Sequence, residues 1–257
     1  MRFPSKADGL KWLKGAGLDP ACVIDVGVHI GTPELMSAFP KAHHLLVEPE
    51  TAHAEAIAQA YKEIPHTLMA AAASDRDGEA ILTSEHRDGG AAVTHSRLDD
   101  LAGRTDSGVT QTVRLARLDT LVKEAGLEGP FLLKIDTDGH ELEVIAGASE
   151  TLKQCSIVIT EASLRAVGAQ TRALEQAGLR LFDIIDLAYY FDTLSQVDLV
   201  FVNPKVFNSP AINPWRHHQF DGREFRQLAP FSKRFDLFRQ IAAQLKRTAA
   251  LTLRRLR

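Results

Sequence analysis

Residues 131 to 145, FLLKIDTDGHELEVI, set Asp136, Asp138, His140, Glu141 and Glu143 directly after an apolar run. So many ionisable groups at the end of a buried strand imply proton-transfer chemistry, a hydrogen-bonded turn, or both. Asp138 and Glu141 are three apart and precede the helical spacing Leu142, Ile145, Ala146, which predicts a capping box. Glu143 falls on a solvated helix face. The DTDG string lacks the further ligands of a calcium loop, so no metal is expected there. Asp136 remains, at the carboxyl end of its strand, where a carboxylate favours a cationic ligand; the plainer alternative is an incidental strand-end acid. Lys134 lies two positions earlier on the same strand face, and pairing would compensate both charges and make Asp136 a weaker base. His140 and His29 are then alternative proton acceptors, each with an ordinary loop role as its competitor. Glu161, which closes SIVITEAS, is a further candidate to face an acceptor. Asp119, in RLDTLV, reads as a helix cap.

A second group of residues points to the ligand. The stretch CVIDVGVHIG supplies Asp25, Gly27 and Gly31 at the end of an earlier apolar run. Its glycine spacing is not the G-x-G-x-x-G that seats a pyrophosphate, and an anion would be badly matched to Asp25. Glu48, in LLVEPE, comes about twenty residues later, where an acid can accept the hydroxyls of a ribose. Asp75, in AAASDRDG, could accept from an exocyclic amino group. The competing readings are a solvated strand end for Glu48 and a turn carboxylate for Asp75. An adenosine carrying a positive centre satisfies all three acids.

The elements that must hold these residues follow from the rest of the chain. Short β-branched runs alternate with helical patterns, and strands apolar along their whole length are covered on both faces, so βαβ units and a mainly parallel sheet are expected. LRLFDIID and VDLVFVN are separated by too few residues for a crossover helix and predict an antiparallel pair at the end. Residues 84 to 111 lack periodicity and read as a long polar surface excursion. DGLKWLKGAGL, near the N-terminus, reads as a short amphipathic helix packed on the sheet. With 257 residues, 45% of them hydrophobic, one large domain with appendages is the default. The net charge of −3 argues against a nucleic-acid partner. Cys22 and Cys155 sit in apolar surroundings and read as buried thiols, which fits a reducing cytoplasm.

The series VIDVGVHIG, VEPE, AAASDRDGEA, RLDTL, LLKIDTDGHELEVIAGA and IVITEAS resembles the FkbM-type methyltransferases over roughly residues 20 to 203. The resemblance implies a class I, Rossmann-like fold: a doubly wound, seven-stranded, mainly parallel α/β sheet with a reversed final strand. It further implies S-adenosylmethionine as cofactor, with Asp25, Gly27 and Gly31 at its methionine end, Glu48 at its ribose and Asp75 at its adenine; His29, which departs from the family pattern, either orders the loop or is a further contact to cofactor or substrate. Asp136, His140 and Glu161 are the candidate catalytic residues, and Lys134 and His29 the candidate substrate contacts; no metal is assigned. The family commonly carries Ala-Asn after the first glycine, where this chain has Val28-His29. The implied activity is methylation of a hydroxyl on a sugar, glycan or related secondary metabolite.

Two other readings compete: a non-catalytic binding module that keeps the fold, and a membrane-surface partner protein. The second draws on residues 232–257, where Phe235, Phe238, Ile241, Ala242 and Leu245 share a helical face among basic residues. The expected division is a methyltransferase domain over 1–208, including the N-terminal helix and the polar insertion 84–111, and a C-terminal extension over 209–257. The expected location is cytoplasmic, with peripheral contact at the inner membrane surface as the tail's contribution.

Overall fold

The computed structural model describes residues 2–86, 93–99, 109–212 and 221–222. Helix α1 (Lys6–Gly15) is followed by β1 (Cys22–Val26), α2 (Pro33–Ala38), β2 (His43–Val47), α3 (Ala54–Ala60) and β3 (His66–Met69). Next come β4 (Ala72–Ser74), β5 (Gly78–His86), β6 (Val93–Asp99), β7 (Val109–Arg117) and α4 (Leu118–Glu124). The chain continues through β8 (Phe131–Ile135), α5 (Glu141–Ala146), α6 (Ser149–Lys153), β9 (Cys155–Ser163) and α7 (Val167–Gln176). It then forms β10 (Arg180–Tyr190), β11 (Thr193–Val202) and α8 (Pro204–Phe207).

The main sheet has the order β10-β11-β9-β8-β1-β2-β3, and β11 runs antiparallel to both its neighbours. This is the expected doubly wound, seven-stranded α/β sheet with a reversed final strand. Every residue of β1 and β8 is buried, as two-sided coverage demands. Ile24, Val26, Leu133 and Ile135 pack with Leu121 of α4, Val144 of α5 and Leu174 of α7 on one face. Val23, Leu132, Ile159 and Val200 pack with Leu10 and Leu13 of α1 on the other. The N-terminal helix is thus a sheet-covering element, as its pattern predicts. Residues before it are tied to β10: the Asp186 N–H donates to the Pro4 carbonyl at 2.9 Å, and Arg2 pairs with Asp183.

Two expectations require correction. HTLMAAAAS is not one strand: β3 belongs to the main sheet, whereas β4 belongs to a second sheet of order β4-β7-β5-β6. The described parts of 84–111 are likewise strands of that second sheet, not an irregular excursion. Its core is Ala72, Ala80, Leu82, Val113 and Leu115, contributed by stretches on either side of the polar segment. Local periodicity misses such a sheet because the partners that bury each strand are distant in sequence. Cys22 and Cys155 are buried and unpaired, as expected. Among the described residues no helix is long and apolar enough to cross a membrane. The basic helix expected over 232–257 lies outside the described residues.

Candidate active site

Side-chain alternation fixes the site's backbone. Asp25, Lys134, Glu161 and Asp198 stand in neighbouring strands on the sheet face that α1 covers, because Val23, Leu132, Ile159 and Val200, two positions away in each strand, pack against that helix. Asp25 lies opposite Lys134 in register, and Glu161 lies opposite Asp198. The Lys134 ammonium is 3.1 Å from Asp25 and 3.4 Å from Asp136, and donates to the Gly27 carbonyl at 2.8 Å. Burial alone would lower its pKa, but the Asp25 and Asp136 carboxylates outweigh burial and hold it above the ordinary lysine value. The expected Lys134–Asp136 pair therefore exists, with fully buried Asp25 as its third member.

Glu161 has the opposite surroundings. It is partly buried, its side chain accepts from the Gln196 amide, and its charged neighbours are acids. Burial, followed by repulsion from Asp136, Asp198, Glu141 and Asp138, pushes its pKa up to about 8. Asp198 is paired with Lys6 of α1 at 2.8 Å; burial still keeps its pKa raised against the pull of that lysine.

The glycine loop sits against this row. Gly27 has φ +78, and a Cβ there would lie 1.7 Å from the Asp136 carbonyl oxygen, so only glycine allows β1 and the loop after β8 to approach this closely. Val28 is a core residue beside Leu46, Ile57 and Tyr61. His29 has φ +54; its backbone N–H donates to Glu48 at 2.7 Å, and its exposed ring meets the His53 ring edge-on at 4.5 Å. The loop is thus ordered through the His29 backbone, leaving the imidazole outside. Glu48 is 8% exposed and also accepts the Glu50 N–H at 2.9 Å. Gly31, at φ +133, abuts the Tyr61 ring.

Asp75 follows β4 and so stands at the end of a second-sheet strand. Its exposed carboxylate accepts from Ser74 Oγ and Arg76, each at 3.2 Å. Ser74 Oγ is also 2.9 Å from His140 Nε2, which links Asp75 to the loop that carries Asp136.

The capping box is not formed as predicted. His140 occupies the N-cap of α5, and Asp138 adopts φ +53. Glu141 is buried and turns back to accept from the Thr137 N–H at 3.1 Å and the Gly139 N–H at 2.9 Å. The left-handed turn at Asp138–Gly139 brings both N–H groups to this one carboxylate. Asp119 is a cap, but for α6 and not for its own helix: it accepts the Glu150 and Thr151 N–H groups, at 3.1 and 2.8 Å. Burial would raise the Asp119 pKa, but these backbone hydrogen bonds overcome it and lower the value.

Several residues at the site escaped sequence reasoning. Asp198 interrupts VDLVFV as Lys134 interrupts FLLKI, and that signal was readable. Gln170, fully buried in α7, donates to the Glu161 carbonyl at 3.0 Å and accepts from Thr160 Oγ1 at 3.1 Å. Neither Gln170 nor Lys6 carried any sequence signal. Among the described residues, no group of three or more His, Cys, Asp or Glu side chains is arranged to hold a metal ion.

A family model described as the methyltransferase FkbM domain matches residues 25–190. The chain is 29% identical over 196 residues to the 2-O-methyltransferase NoeI of Sinorhizobium fredii, covering 69% of this chain and 74% of that protein. Among solved structures, the N-methyltransferase NodS of Bradyrhizobium japonicum aligns with TM-score 0.42 and 8% identity, covering 77% of this chain and 94% of that one. The magnesium protoporphyrin IX methyltransferase of Synechocystis aligns with TM-score 0.41 and 15% identity over 77% of each chain. The match over 25–190 spans the glycine loop, Glu48, the Asp136 loop and Glu161, and the chain belongs to the FkbM family of S-adenosylmethionine-dependent methyltransferases.

Proposed function

We propose that this protein transfers a methyl group to a hydroxyl oxygen of a sugar, glycan or related secondary metabolite. The observation that carries the reading is Glu161. A hydroxyl must lose its proton as it attacks carbon, and a general base works best with a pKa near the working pH. A carboxyl pushed up to about 8 at the carboxyl edge of the sheet meets that requirement, whereas an ordinary carboxylate is too weak a base. The 2-O-methyltransferase NoeI supports an oxygen acceptor.

The donor set fits S-adenosylmethionine: Glu48 after β2 and Asp75 after β4 suit a nucleoside, and the loop at Gly27 allows close backbone approach, whereas Asp25, expected at the methionine end, is buried against Lys134 and does not face the cofactor. Glu48 would hold the ribose hydroxyls with the lone pairs its two backbone donors leave open. Asp75 would take the adenine amino group, and the Gly27–Gly31 loop with His29 the methionine end. Asp25 acts from beneath, fixing Lys134. When bound, the cofactor supplies an electrophilic methyl group on a sulfonium. Lys134 holds the loop in place through the Gly27 carbonyl and anchors Asp136, whose carboxylate favours positive charge nearby. Glu161 accepts the hydroxyl proton, with His140 and Asp136 beside the acceptor. His29, whose ring is exposed, bounds the acceptor space on the loop side, whereas Lys134, expected there, is buried and committed to Asp25, Asp136 and the Gly27 carbonyl. Most of the rate gain comes from alignment, for which effective molarities of about 10⁵ to 10⁸ M are attainable, while the base adds about 10² to 10⁴.

The test combines calorimetry with S-adenosylmethionine and transfer of labelled methyl to a panel of hydroxyl-bearing sugars. Wild type should bind and transfer, Glu48→Ala should lose affinity, and Glu161→Gln should bind without transferring. No heat with wild type, undiminished binding by Glu48→Ala, or transfer only to amines would refute the assignment.

A further inference from the structure

The N-terminal helix does more than cover the sheet. Lys6, in its first turn, reaches Asp198 at 2.8 Å and Asp186 at 3.8 Å, and its own N–H donates to Asp186 Oδ1 at 3.1 Å. Asp198 stands opposite Glu161 in the β9–β11 register, and Gln196, two residues before it on the same face, donates to the Glu161 carboxyl. The Lys6 side chain is 14% exposed, so its charge acts in a poorly screened setting. The charged groups facing Glu161 come from three of the elements packed around it, and α7 contributes the neutral Gln170. Asp136 and Asp138 come from the loop after β8, Glu141 from α5 and Asp198 from β11. Lys134 is committed to Asp25 and Asp136. Among the described residues, Lys6 is the cation paired with the β11 side.

We propose that Lys6 is a positioning residue for Glu161: from a helix remote in sequence, it pins the Asp198 carboxylate and supplies the positive charge that balances this side of the row. The inference rests on Glu161 being the proton acceptor proposed above. Without Lys6, Asp198 opposite Glu161 is left uncompensated and the base holds its proton too tightly to take one from an acceptor. With Lys6 but without Asp198, Glu161 ionises too readily and becomes a weak base. The pair keeps it between these limits.

The test needs neither cofactor nor acceptor, so its outcome is separate from whether methyl transfer is found. Full-length protein carrying ¹³C-labelled glutamate is titrated by NMR, with the Glu161 carboxyl signal identified by its loss in Glu161→Gln. Asp198→Asn removes the negative neighbour and leaves Lys6 with only the more distant Asp186 as partner, so the Glu161 midpoint should fall from about 8. Adding Lys6→Met to Asp198→Asn should move it back up by about one pH unit, whereas adding Lys6→Arg should leave it low. A role confined to docking the helix would give equal midpoints in the Met and Arg versions, and that result overturns the proposal. So does an unmoved midpoint in Asp198→Asn alone.

Discussion

The β1–β8 and β9–β11 halves of the carboxyl edge place acids at equivalent strand ends, yet treat them oppositely. Between β1 and β8, Lys134 stands among Asp25, Asp136 and the Gly27 carbonyl, so negative charge is balanced and fixed. Between β9 and β11, Glu161 faces Asp136, Asp138, Glu141 and Asp198, and the donor to its carboxyl is the neutral Gln196 amide. The same residue class is thus paired with a lysine on one side and set among other acids on the other. What separates them is where the lysines point.

This contrast can be broken experimentally. Lys134→Met leaves Asp25 buried without its cation and should cost about 3 to 5 kcal/mol in urea unfolding. A loss no greater than that of Lys6→Met would remove the distinction between the two halves. Glu161→Gln should lower kcat by about 10²-fold or more. Wild-type rate should rise as pH climbs through about 8, and the variant should lose that rise. Stability should move the other way. The folded-state pKa of Glu161 is raised from 4.5 to about 8, so in that window the folded chain keeps a proton the unfolded chain releases, and unfolding free energy falls as pH rises. Glu161→Gln should flatten that decline by about 1 to 2 kcal/mol, allowing for partial exposure, as read from urea midpoints across the window. Smallest of all, Asp75→Asn should shift stability by no more than about 0.5 kcal/mol, because its carboxylate is exposed, while weakening S-adenosylmethionine binding in calorimetry.

The main sheet was legible because its strands are apolar throughout and its last two are joined too tightly for a crossover. Lys134 was legible for the same reason: a lysine inside FLLKI demands a partner. The second sheet was not, since Ala80 and Leu82 find Val113 and Leu115 only across the polar segment. Glu141 was misread as half of a capping box because the positive φ at Asp138 has no signature in the local pattern. Asp25, Glu48, Asp136 and Glu161 were visible as site acids, but the surroundings of Glu161 were not: Asp198 and its partner Lys6 lie far from it in sequence, and the sheet sets Asp198 opposite it.

Gln170 has a consequence for what the enzyme can accept. Its amide nitrogen reaches the Glu161 carbonyl at 3.0 Å and the Glu141 carboxylate at 3.4 Å, while Glu141 in turn gathers the N–H groups of Thr137 and Gly139. Helix α7 therefore works as a caliper, setting the gap between the loop that bears Asp136 and the strand that bears Glu161. Misplacing groups by about 1 Å can cost about 10²-fold where they react, so on the proposed function a bulkier acceptor has to be accommodated by surfaces outside that gap. Gln170→Glu would turn a donor toward two acceptors into a third acid and spring the caliper open.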